Sequence, residues 1–157
     1  MKINKEIVER VEAIYKWLDE QIAAHQDAAG KCAVCGKCCD FESFGHRLFV
    51  TTPEMIFFAG KLLDKNVKKM TGGRCSYQAG DKCTVYAERF AGCRIFCCKG
   101  DARLQSDLTE AVIKKFKAVC DEFKIPYRYV DLPTALATDY TKLLAESRFG
   151  GTDFTDL

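Results

Sequence analysis

Nine of the chain's ten cysteines fall between Cys32 and Cys98. The stretch opens as Cys32-x-x-Cys35-x-x-Cys38-Cys39, and Cys75, Cys83, Cys93 and the doublet Cys97-Cys98 follow. Thiolates separated by two residues can grip one ion from a turn, so the spacing points to a metal centre. Gly36 suits such a turn, because the backbone must approach the ion closely and can need a positive φ. Nine thiols exceed what one tetrahedral zinc takes, and two sites of four would use eight. Neighbouring cysteines normally point to opposite sides of the backbone. Cys38-Cys39 and Cys97-Cys98 therefore serve two metals or bridge into a polynuclear cluster. Zinc and iron–sulfur clusters use the same thiolates, and spacing alone leaves both open.

Four thiolates on a divalent ion leave a net charge of about −2, which nearby cations can offset. Lys31, Lys37, Lys82, Arg89, Arg94 and Lys99 lie close to the cysteines in sequence. Arg89 and Arg94 are the candidates for contacting the bound group, with Arg94, directly after Cys93, foremost as a hydrogen-bond donor to its sulfurs. The lysines read as surface cations. His25 reads as a solvated polar residue, His46 is not needed as a ligand, and Cys120 reads as a small buried hydrophobe on a helical stripe. The chain has no Ser-His-Asp set, no HExxH and no P-loop, and only two histidines. General acid–base catalysis by histidine has little material.

The elements that must position these thiols are read from periodicity. Ile3, Ile7, Val11, Ile14, Leu18 and Ile22 form an apolar stripe at helical spacing, predicting a helix over 3–28 with Asn4 as its cap and Gly30 as its terminator. Phe41 to Val50 reads as a short strand or extended patch. Thr52-Pro53-Glu54 reads as a helix start with a hydroxyl cap, and that helix should run to about Asn66. The Gly80-Asp81 turn should bring Cys75 and Cys83 together, and Thr84 to Arg89 could form one helical turn. Asp107 with Glu110 resembles a capping box ahead of the stripe Val112, Phe116, Val119 and Phe123. Ile125-Pro126 should end that helix, residues 127–130 should be extended, and Pro133 should start a last helix with Leu136, Tyr140, Leu143 and Leu144 inward. The fold class expected is mainly α: about four helices around a cysteine-rich, loop-built metal core, with little or no β. The metal core would span 32–98 and the helical flanks 3–28 and 106–147, all within one domain over 1–157.

At 157 residues, 48% hydrophobic and 29% charged, the composition is that of an ordinary soluble domain. A net charge of +2 is too near neutral to argue for nucleic acid or an anionic membrane as partner. No apolar run reaches the roughly 18 residues of a membrane span, and the first residues lack the features of a signal peptide. A cytoplasmic location is therefore expected, where thiols stay reduced and ten cysteines favour metal over a disulfide framework.

Cys32-x-x-Cys35-x-x-Cys38-Cys39, followed by Cys75, Cys83, Tyr86, Arg89, Cys93 and Arg94, resembles the CxxCxxCC zinc- or iron-chelating domain family, also called YkgJ-type cysteine cluster proteins. The Thr51-Thr52-Pro53-Glu54 helix start is similar to that family's layout too. Phe90 stands where family members usually carry proline, and Cys97-Cys98 replaces the usual proline-cysteine ending. The resemblance implies a bound metal, often an iron–sulfur cluster, with no assigned reaction. A related cysteine pattern in the flagellin lysine methylase implies a methylase-related activity as one further reading, although no glycine-rich loop for adenosylmethionine is present.

The leading expectation is a small metal-binding protein whose Cys32, Cys35, Cys38, Cys39, Cys75, Cys83, Cys93 and one or both of Cys97 and Cys98 hold an iron–sulfur cluster, of 4Fe–4S type first. Its role would be electron transfer or service to a redox or other protein partner. The alternative is a structural zinc module that mediates protein interaction, and a metal-dependent enzyme comes third.

Overall fold

The computed structural model describes residues 2–30, 36–45, 47–62 and 67–140. The chain is mainly helical, with seven α-helices and two small antiparallel ladders among the described residues. Three helices form the frame: α1 (Lys2–Ala24), α4 (Thr52–Lys61) and α6 (Ala102–Phe123). The stripe Ile7, Val11, Ile14 and Leu18 of α1 is buried against α4 and against Leu108, Val112, Phe116 and Val119 of α6. Each such side chain contributes about 1.5–3 kcal/mol of burial, and this core holds the frame together. Residues 52–59 of α4 are all buried, which makes it the central helix.

Four shorter helices occupy the connections: α2 (Gln26–Ala29), α3 (Phe41–Phe44), α5 (Ala91–Ile95) and α7 (Leu132–Ala137). Strand β1 (Phe49–Thr51) pairs with β4 (Tyr129–Asp131), Val50 opposite Val130. Strands β2 (Gln78–Ala79) and β3 (Lys82–Cys83) form the hairpin around Gly80-Asp81, where Gly80 takes φ 62°. That hairpin and a 3₁₀ turn over Tyr86–Glu88 match the expectations for 75–89.

Several boundaries differ from the sequence reading, each for a local reason. Helix α1 begins at Lys2, ahead of Asn4, so Asn4 is not its cap, and the helix breaks at His25 before α2 resumes to Gly30. His25 itself is exposed, its Nδ1 2.8 Å from the Gln21 carbonyl oxygen. Residues 41–44 are helical rather than extended, because Asp40 caps them by accepting from the Ser43 amide. The cap of α4 is Thr51, not Thr52: Glu54 sits at the third helical position and accepts from the Thr51 amide, 2.9 Å. Helix α6 starts at Ala102, five residues before Asp107, since the Asp101 carboxylate accepts from the Leu104 amide at 2.8 Å. It ends at Lys124, whose φ of 54° turns the chain before Pro126. The last helix starts at Leu132, capped by Asp131, and is only six residues long. Seven helices rather than about four result, because α1 breaks at His25 to leave α2 as a separate turn, and α3 and α5, at four and five residues, are too short for apolar periodicity to register. Leu143 and Leu144, Asn66 and His46 lie outside the described residues.

No helix among the described residues is long and apolar enough to cross a membrane.

Candidate metal centre

Three segments bring cysteines to one place. The first is the 3₁₀ turn Lys37–Cys39, entered through Gly36 at φ 72°. The second runs from Cys75 through the β2–β3 hairpin, and the third is α5 with Cys93. The first two are stitched directly. The Cys75 amide donates to the Cys39 carbonyl at 2.8 Å, and Asp40 bridges to Arg74, whose guanidinium also reaches the Asp40 carboxylate at 3.1 Å. Gln78 adds a bond from its side-chain amide to the Gly36 carbonyl, 2.7 Å.

The result is a cavity of about 90 Å³ lined by Cys38, Cys39, Cys75, Cys83 and Cys93. That is several times the roughly 10–15 Å³ needed by one water. Tyr86 and Arg89 stand beside the thiols, and Phe41, Leu48, Val85, Phe90, Phe96 and Leu132 make apolar walls. Two rings connect these walls to the core. Phe58 of α4 lies 5.1 Å from Tyr77 edge-on and 4.8 Å from Phe90. Phe90, in the position where the family pattern has proline, takes φ −66°, the value proline would fix. It exchanges that rigidity for a buried ring, 5% exposed.

Gly36 bears out the expectation of a tight turn. A Cβ there would stand 2.5 Å from the Gln78 side-chain nitrogen and 2.6 Å from the Asp81 carbonyl oxygen. Gly36→Ala should therefore push the first cysteine segment off the hairpin. A loss of roughly 2–3 kcal/mol in thermal unfolding is expected, with weakened metal binding measured in the same samples.

The thiols differ in their protonation. Cys38 is lowered to about 6, chiefly because the Cys39 thiol donates to it, with the Arg89 charge helping against burial. Cys39 is raised by the same shared proton, so the pair loses its first proton readily and its second with difficulty. Burial pushes Cys93 up to about 12 and raises Cys75.

Arg89 stacks on the exposed Tyr86 ring at 3.7 Å and donates to the Tyr86 carbonyl at 3.0 Å and the Cys93 carbonyl at 3.4 Å. Its charge sits on the cavity wall. Arg94 is placed differently from the expectation that it donates to sulfur. Its side chain is 8% exposed and lies over the Tyr15 ring at 4.2 Å. It donates to the carbonyls of Arg89 and Ala87 at 2.8 and 3.0 Å and to the Asp19 carboxylate at 2.9 Å. Arg94 thus holds the turn that carries Tyr86 and Arg89.

Cys97 and Cys98 do not line the cavity. Cys97 is buried near Gly30, and Cys98 is exposed. Cys32 and Cys35 lie outside the described residues. Cys120 is 2% exposed on α6, the buried hydrophobe expected. Among the described residues, no three histidine, cysteine or carboxylate side chains are close enough to form a ready-made metal group. The five thiols are gathered around a space rather than around a point. Thiol donors, a guanidinium and apolar walls suit zinc or iron and not a hard cation such as calcium or magnesium.

Sequence reasoning missed two kinds of site residue. Leu48 and Leu132 reach the cavity because the Leu132 amide donates to the Leu48 carbonyl at 2.9 Å, next to the β1–β4 ladder. No local pattern announces a contact between segments so far apart. Glu54 was legible as an acid in a first helical turn, but not as the buried acceptor that it is.

A thiol-lined cavity held by hydrogen-bonded turns on a helical frame defines a metal-binding protein of the cysteine-cluster class. The chain belongs to the CxxCxxCC family, described as a putative zinc- or iron-chelating domain, whose profile matches residues 31–121. No match to a curated protein or to a solved structure was found.

Proposed function

We propose that the protein carries an iron–sulfur cluster in this cavity, for electron transfer or for service to a protein partner. The observation that carries the reading is the convergence of Cys38, Cys39, Cys75, Cys83 and Cys93 on one partly enclosed space. Five thiols are enough for the four that hold an iron–sulfur cluster, and Cys32 and Cys35 also fall within the residues that the family profile matches. Such a cluster would supply one-electron chemistry. The chain's own residues supply the thiolates, a compensating cation in Arg89 and apolar walls that limit water. The eight cysteines among the described residues are free thiols, the state that the cytoplasm maintains.

Metal and acid-labile sulfide content, with a visible spectrum, on protein purified without oxygen tests the reading. Iron with matching sulfide and absorption that bleaches with dithionite is expected. Colourless protein with stoichiometric zinc from iron-fed cells would overturn it in favour of a structural zinc module.

A further inference from the structure

We infer that Glu54 is a positioning residue for the metal centre, holding Cys93 and Arg89 in place from the buried core without touching the metal. The inference rests on the metal-binding reading above.

Glu54 is 2% exposed, and both carboxylate oxygens are occupied. One accepts from the Ala91 amide at 2.7 Å and the Tyr15 hydroxyl at 3.2 Å. The other accepts from the Thr51 amide and the Thr51 hydroxyl, both at 2.9 Å. A helix cap needs only the Thr51 contacts. The bond to Ala91 crosses to a different element, for Ala91 is the first residue of α5 and Cys93 lies two residues on.

Helix α5 has five residues, too few to be stable by itself, so its position depends on its anchors. The anchors form a closed circuit. Glu54 holds Ala91; Arg94, in the same short helix, holds the carbonyls of Ala87 and Arg89; Arg94 also lies on the Tyr15 ring; and Tyr15 donates back to Glu54. A carboxylate is rarely buried so completely, and here its four donors offset the desolvation that raises its pKa. Loosening Glu54 frees α5 and the Tyr86–Arg89 turn together, which carry one thiol and the cation of the cavity wall.

The full-length apo protein, titrated anaerobically with cobalt(II) and followed by thiolate-to-metal absorption, tests this against Val119→Ala. Val119 is buried on α6 and lies outside the cavity lining. Glu54→Gln should weaken cobalt binding by roughly tenfold or more and alter the cobalt ligand-field bands, as outer-shell partners of metal ligands do. Val119→Ala should lower the melting temperature and leave both unchanged. Should Glu54→Gln fail to fold, Tyr15→Phe, which removes one link of the circuit, should weaken binding roughly threefold. Affinity and bands matching those of Val119→Ala overturn the inference. A wild-type chain that binds neither cobalt nor zinc overturns the metal-binding reading itself.

Discussion

Replacing Cys93 with serine should remove the metal, lowering affinity by roughly a hundredfold. Structural thiolate sites bind with about 10–16 kcal/mol over four ligands, so each thiolate accounts for about 3 kcal/mol. Serine keeps the volume but not a soft, ionisable donor. Cys93 is the decisive position because it comes from α5, while the other four lining thiols come from segments already stitched together by the Cys75-to-Cys39 bond. Cys120→Ser is the contrast. It buries a hydroxyl on the packed face of α6 and should cost about 1–3 kcal/mol of stability while metal content stays at the wild-type level. Metal analysis beside thermal unfolding separates the two. Equal metal content in Cys93→Ser would remove the cavity from consideration as the centre.

Metal affinity should rise steeply with pH. Thiols bind as thiolates, and every proton displaced makes the apparent affinity change about tenfold per pH unit. Cys39, Cys75 and Cys93 are all held above the ordinary thiol value, by the shared proton in the first case and by burial in the others. If these three ligate, the logarithm of the affinity gains about three per pH unit near neutrality. The slope should steepen by a further one below about 6, where Cys38 also becomes protonated. Proton release in weakly buffered zinc titrations measures the count directly, and a pH-independent affinity would exclude these thiols. The sign for the empty fold is opposite. Cys93 is raised from 9.0 to about 12 on folding, so its contribution to stability is complete below pH 9 and lost as pH climbs towards 12. Apo protein should therefore unfold in alkali before the loaded form does.

The helical frame was legible because α1 and α6 repeat apolar residues at a spacing that only a helix can bury on one side. Helix ends were not: α6 starts where the Asp101 carboxylate accepts from the Leu104 amide, and α4 where Glu54 accepts from the Thr51 amide, single bonds that other acids nearby could equally have made. The cysteine segments were legible by residue type. Gly36 and the Gly80-Asp81 turn announce tight backbone, and the structure uses both as expected. What distance along the chain hides is the meeting of segments. Nothing near Arg94 indicates that its guanidinium will be drawn to Asp19 and to the carbonyls of its own neighbours. Likewise the doublet Cys97-Cys98 looks equivalent to Cys38-Cys39 in sequence, yet α5 turns it away from the cavity.

The pairing of β1 with β4 sets the order in which the site can be assembled. Val50 and Val130 are eighty residues apart, and Leu48 meets Leu132 just beyond them. Contacts of such separation carry a large loop-closure entropy and slow the approach to the native state. On a growing chain all five lining thiols have been synthesised, and the segments that carry four of them can be stitched together, before residues 129–132 exist. The wall made by Leu132 is thus the last to arrive. Until it does, the thiols face open water, and a metal delivered to the nascent chain meets a half-built vessel that later folding closes.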